Sequence, residues 1–194
     1  MGGASRNPKT QILVTLAMLC ALAYATSLLR IPAISFLRYE PKDVVILFGG
    51  FIYGPLVVPI MSIIVSTIEM FTISNTGHWG LIGNVLSTCS FAVPASLIYN
   101  RRRSISGAIA GLSIGIFFMT VIMLLWNWLV VPIYLGMPRE EIEPMLFTTF
   151  LPFNLIKGSL NTVLVILLYK PLVTALRKLR LIPHSTAVIY KHKT

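Results

Sequence analysis

A lysine interrupts an apolar run long enough to cross a membrane. In Leu151-Pro-Phe-Asn154-Leu-Ile-Lys157-Gly158-Ser-Leu-Asn161 its ammonium lies between two amides. At about 100° per residue, positions 154, 157 and 161 share one helical face. Gly158 adds no side chain there, which leaves room for a neighbouring helix or a bound group. Asn127 stands between Trp126 and Trp128, just before Val131-Pro132. An amide bonding across a helix pair, with an interfacial tryptophan belt, also accounts for that trio. Ser62, Ser66 and Glu69 form a second stripe, and Asn84 lies further on. Serines pack close helices as well, and Glu69 is a candidate to offset the Lys157 charge. Amides suit the imide or amide edge of a heterocycle, and an ammonium suits a carbonyl, an anion or a polyol oxygen. Trp126, Trp128, Phe153 and Tyr39 can enclose an aromatic ring. The set Asn127, Asn154, Lys157, Tyr39, Trp126, Phe153, Asn161, Asn84 and Glu69 fits a flat, polar-edged small molecule better than an inorganic ion.

Catalysis is poorly supplied. The sequence holds no GxxxxGK[ST] phosphate loop, no HExxH and no GxSxG. His78, His184 and His192 are scattered, without metal-ligand spacing. The expectation is a binding and transport protein with no catalytic residue, no metal and no cofactor. One acid and one base within the spans make a meagre proton relay, so energy for uphill movement must come from a partner.

Lipid has to position these groups. Of 194 residues, 56% are hydrophobic and only 11% are charged, against roughly 25% charged in soluble domains. The net charge of +10 does not indicate nucleic acid, because the basic residues sit beside apolar runs rather than on one face of a folded module. A spanning helix needs about 20 apolar residues. Such runs occur at Gln11–Leu29, Leu56–Ile73, Leu81–Tyr99, Ile105–Val131 and Phe147–Tyr169, with a short one at Val44–Tyr53 set off by the turn signal Gly54-Pro55. The short run must be tilted, irregular or shielded by protein. The predicted fold is therefore an all-α membrane protein of six transmembrane helices with both termini cytoplasmic.

Charge supports that count. Arg6, Lys9, Arg101, Arg102, Arg103, Lys170, Arg177, Lys178, Arg180, Lys191 and Lys193 fall on one side, most of the sixteen basic residues. Glu40, Asp43, Glu140, Glu141 and Glu143 fall on the other. Basic residues mark the cytoplasmic side. Residues 1–10 read as a cytoplasmic segment, 11–170 as the substrate-binding transmembrane domain and 171–194 as a basic cytoplasmic tail. The connections Arg30–Lys42 and Pro132–Leu146 lie outside, either as ordinary loops or as covers over a cavity. Cys20 and Cys89 read as buried packing residues. Ala17, Ala21 and Ala25 recur every four residues on the first helix, a flat ridge for an internal contact or for a docking partner.

Four segments carry a family likeness: Phe36-Leu-Arg-Tyr-Glu-Pro-Lys-Asp43-Val, Gly50-Phe-Ile-Tyr-Gly54-Pro55, Asn127-Trp-Leu-Val-Val-Pro132-Ile-Tyr134 and Leu151-Pro-Phe-Asn154-Leu-Ile-Lys157-Gly158. With them the chain resembles the S components of energy-coupling factor (ECF) vitamin transporters, most closely the riboflavin-binding type, over nearly all of its length. The resemblance implies that Asn127, Asn154 and Lys157 line a flavin pocket which the first outer loop closes. It implies that the Ala17/Ala21/Ala25 ridge docks on a transmembrane coupling subunit, itself bound to two ATPase subunits that supply the energy. It implies capture of the vitamin outside and reorientation in the membrane for release inside. Helix 3 departs from the family pattern, with Ser62, Val65 and Ser66 where the family carries a Glu and a Lys–Asn pair. An S component for another heterocyclic vitamin or flavin analogue, a self-contained secondary carrier and an assembly subunit are the alternatives.

Overall fold

The computed structural model describes residues 8–34 and 37–178. Arg6, Phe36 and the tail from Leu179 to Thr194, on which some of the charge and motif readings rest, lie outside that range. The described chain is helical: α1 (Pro8–Ser27), α2 (Lys42–Tyr53), α3 (Val57–Thr72), α4 (Gly77–Arg102), α5 (Ile105–Leu135), α6 (Arg139–Met145) and α7 (Leu151–Lys178). Among the described residues, four helical stretches are long and apolar enough to cross a membrane: Lys9–Ser27, Gly77–Arg102, Ile105–Leu135 and Arg139–Leu168. Apolar side chains such as Leu13, Phe71, Phe117, Leu125, Val163 and Leu167 face outward, while serines, asparagines and charges are buried. This inverted pattern suits a hydrocarbon solvent.

Helix α2 is the exception in length. Its 12 residues extend about 18 Å at 1.5 Å per residue, short of the roughly 30 Å hydrocarbon core. Every residue from Lys42 to Phe51 is buried, so protein rather than lipid surrounds it. The predicted turn is present. Gly54 ends α2 at φ 102°, a left-handed backbone that glycine adopts without steric cost, and α3 begins three residues on.

Two local forms differ from the predicted ones. The first long connection contains an antiparallel strand pair, β1 (Ile31–Ile34) and β2 (Leu37–Tyr39), with Ile31 opposite Tyr39 and Pro32 opposite Arg38. Strands this short, one of them carrying a proline, show too little alternation to register in a sequence pattern. The second long connection is mostly helical. Helix α5 runs through Pro132 to Leu135, because the proline forfeits only one backbone bond near the helix end. After Gly136, in the left-handed conformation, α6 leads through a π-helical turn, Leu146–Phe150, directly into α7. The fully buried Ile142 pins α6 to the protein.

Helices α4 and α5 form the most extensive contact, and glycines make it possible. A Cβ added at Gly111 would lie 2.8 Å from the Ala95 carbonyl oxygen, and one at Gly115 would strike the Phe91 carbonyl. With Gly107 these residues form a small-residue ridge that brings two backbones together. Gly158 settles its own role likewise: an added Cβ would meet Ile116 at 2.7 Å, so its space is taken by α5. A Gly115→Leu substitution should push α4 and α5 apart and destabilise the protein by about 1–3 kcal/mol or more, the usual range for overpacking. Thermal unfolding in detergent should show this against an unaffected control at the exposed Ser113 (Ser113→Leu).

Candidate functional site

Among the described residues, the charged groups of the interior form two clusters, and both include the start of α2. Pro41 precedes the helix and Lys42 and Asp43 open it. Adjacent residues on a helix point about 100° apart, and these two serve different partners.

Asp43 is 0% exposed at its side chain, and its Oδ2 forms an ion pair with Lys157 Nζ at 2.9 Å. Its other oxygen, Oδ1, accepts from the Thr88 hydroxyl of α4 at 2.6 Å. Lys157, on α7, also donates to Ser87 Oγ at 2.9 Å. The carboxylate lies in the first turn of α2, where the helix dipole favours negative charge. Glu69 is therefore not the partner of Lys157. Asp43, which the sequence reading counted only as one of the acidic residues opposite the basic side, fills that place because the helix start carries it inward.

Glu69 belongs to the second cluster. Lys42 is buried and bonds Glu69 Oε2 as well as Glu40 Oε2, the latter at 2.9 Å. Asn84 Nδ2 donates to the same Glu69 oxygen at 3.2 Å, and Arg30 Nε lies 3.4 Å from Glu40 Oε1. The three cations Arg30, Lys42 and Lys157 are thus matched by Glu40, Asp43 and Glu69. Ser62 and Ser66 are buried on the same face of α3 as Glu69, so that stripe turns inward throughout.

The strand pair reaches the same region. Tyr39, buried at the end of β2, donates its hydroxyl to Asn161 Oδ1 at 2.8 Å. Burial, and then the nearby Asp43 carboxylate, push the Tyr39 phenol up, so it stays protonated and able to donate. Asn161 is fully buried, and its Nδ2 has no hydrogen-bond partner among the described residues. Such a donor costs free energy unless something accepts from it.

The remaining predicted residues lie close by in the fold without all meeting. Asn154 is buried and donates from Nδ2 to the Phe150 carbonyl at 2.8 Å, back onto the π-helical turn. Asn127 is buried on α5. Trp126 is half-buried over Gly83 of α4, whose added Cβ would meet the indole Nε1 at 3.0 Å. The Trp126 ring stands 6.5 Å from that of Trp79. Trp128 is engaged otherwise, under the Arg139 guanidinium at 5.0 Å. Phe153 is half-buried at the start of α7. On α1, Ala17, Ala21 and Ala25 are all exposed, so the ridge is not used for packing inside the described chain. Cys20 is buried, Cys89 half-buried, and both are free thiols.

Sequence reading passed over Asp43, Lys42, Ser87 and Thr88 as site residues. A signal for the first two was present. Proline directly before an apolar helix, followed by an acidic residue in the first turn, marks a helix start, which places Lys42 and Asp43 inside the fold rather than in the loop. Ser87 and Thr88 carry no such mark, since hydroxyls are common in membrane helices.

Comparison with known proteins gives this arrangement a context. Residues 11–169 match the family model described as "ECF transporter, substrate-specific component". The chain is 29% identical over 176 residues to "Riboflavin transporter RibU" of Staphylococcus aureus (strain TCH60), covering 86% of this chain and 93% of that one. It is 25% identical over 173 residues to "Riboflavin transporter FmnP" of Bacillus subtilis (strain 168), covering 83% and 91%. Its fold matches a solved structure described as "Structure and mechanism of the S component of a bacterial ECF transporter", with a TM-score of 0.76, 29% identity, and coverage of 87% and 98%. A helical protein with an apolar exterior, a charge-balanced polar interior and a family match across most of its length, the chain belongs to the ECF transporter substrate-specific components.

Proposed function

We propose that this S component binds riboflavin on the outer side of the cell membrane and delivers it inward, powered by a transmembrane coupling subunit with two ATPase subunits. It is a transport component, not an enzyme, and riboflavin is its cargo rather than a cofactor. The carrying observation is the inward-facing polar seam of Asn154, Lys157 and Asn161 on α7, with Asn127 buried on α5. Riboflavin is the ligand in the names of both relatives. Its isoalloxazine edge alternates carbonyls and ring nitrogens, which amides and an ammonium can bond. Trp126 and Phe153, each half-buried, are the aromatic surfaces we assign to its ring, with Tyr39 of the strand pair as the cover.

Purified protein should quench riboflavin fluorescence on titration. Asn127→Ala, Asn154→Ala and Lys157→Ala should each weaken binding roughly 5- to 150-fold, since an unsatisfied buried polar edge costs about 1–3 kcal/mol. Unaltered binding by the Asn154→Ala/Lys157→Ala double variant would remove the site assignment.

The exposed Ala17/Ala21/Ala25 ridge is the surface we assign to the coupling subunit, because small residues let a second helix approach closely. Ala21→Trp should abolish co-purification with the coupling module while riboflavin binding stays intact. Retained co-purification would show that the ridge is not the docking face.

We assign six crossings, with both termini cytoplasmic. Helices α2 and α3 together complete the count through the Gly54-Pro55 turn, with α2 shielded by its neighbours. The exposed Arg101 and Arg102 then lie inside and Glu140 and Glu141 outside, as the distribution of basic residues demands. Single cysteines replacing Arg102 and Glu141, in a background lacking Cys20 and Cys89, should label with an impermeant maleimide from opposite sides of intact cells. Labelling of both from outside would refute this topology.

A further inference from the structure

Lys157 cannot be understood without the group that holds it. Its ammonium carries three donors. One goes to Ser87 Oγ at 2.9 Å, and the Asp43 Oδ2 carboxylate oxygen faces the ammonium as an ion pair at 2.9 Å, so both neighbours fix where the remaining N–H groups point. Accessibility is divided unevenly within the ion pair: the Lys157 side chain is 11% exposed and that of Asp43 is 0%. The carboxylate therefore reaches a ligand only through the lysine. Thr88 holds the far carboxylate oxygen at 2.6 Å, so the anion is fixed from two helices and aims the cation on a third.

We propose that Asp43 is the positioning residue for ligand binding: with Thr88 behind it, it holds the Lys157 ammonium in place and directs an N–H toward the bound molecule. This rests on the functional reading above, in which Lys157 contacts riboflavin. Stability alone is a poor reason for the pair, because a buried ion pair replaced by well-packed apolar groups commonly leaves a protein as stable or more so. A pair whose exposed member is the lysine has a different use. It supplies a charge-assisted donor whose direction is set before the ligand arrives, and such preorganisation lowers the ordering cost of binding.

A double-mutant cycle in riboflavin binding tests this, using the full-length protein in detergent and fluorescence quenching as readout. Asp43→Asn and Lys157→Met should each raise Kd by about tenfold or more, and the double variant should bind no worse than Lys157→Met to within about twofold. Non-additivity of that kind is not expected of a residue that merely supports the fold. Thr88→Val and its combination with Lys157→Met form a milder second cycle, which decides the matter if Asp43→Asn does not fold. Thr88→Val should raise Kd by about three- to tenfold in the wild-type background and not at all beside Lys157→Met. If wild type binds and Lys157→Met is impaired, yet Asp43→Asn binds like wild type or its cost multiplies with that of Lys157→Met, this inference alone is overturned. If wild type leaves riboflavin fluorescence unchanged, the functional reading falls and this inference falls with it.

Discussion

Charge inside a lipid-facing protein has to be cancelled by the protein itself, and the Asp43–Lys157 contact is where that constraint is sharpest. The carboxylate is fully buried and the ammonium largely so, and an isolated ion in such surroundings is costly. One contact between α2 and α7 removes both penalties. The other interior charges follow the same rule. Lys42 sits between Glu40 and Glu69, and Arg30 closes on Glu40. Because these pairs join α2, α3, α7 and the residues flanking the strand pair, the arrangement of this end of the bundle is tied to electrostatic neutrality as much as to packing.

The two clusters divide the work between cover and interior. Glu40 and Lys42 follow the strand pair directly in sequence and anchor it to α3 through Glu69. Tyr39 anchors the same segment to α7 through Asn161. The connection is thus held at its C-terminal end to two helices, α3 and α7, by bonds between buried groups. Its strands contribute little on their own, since an isolated two-stranded pair is marginal in stability.

Much of this was legible in the sequence, for reasons that also explain what was not. The long apolar runs gave α1, α4, α5 and α7 because hydrocarbon thickness sets a length that composition reveals. Gly54-Pro55 marked the break between α2 and α3 because a left-handed residue there needs glycine. The inward direction of Asn154 and Asn161 followed from helical period alone. The pairing of charges was not legible, since it depends on which helices are neighbours, and sequence spacing carries no such information. Lys157 and Asp43 are more than a hundred positions apart, and Glu69, the other plausible counter-ion, is engaged elsewhere. The α4–α5 seam was readable in Gly107, Gly111 and Gly115, but it was passed over in favour of the alanine ridge on α1, which faces outward instead.

The π-helical turn at Leu146–Phe150 bears on how α6 and α7 share one direction. Ile142 and Asn154 are both buried, yet twelve positions of regular α-helix would set them about 120° apart around the axis. A π turn absorbs one extra residue, which reduces the offset to about 20° by the same reckoning. The bulge therefore acts as a phase corrector, letting an anchor on α6 and an amide on α7 look inward from one continuous rod. Loss of one residue within the bulge would leave that alignment standing, whereas loss of one residue between Asn154 and Lys157 would swing the ammonium by roughly a quarter turn away from its carboxylate.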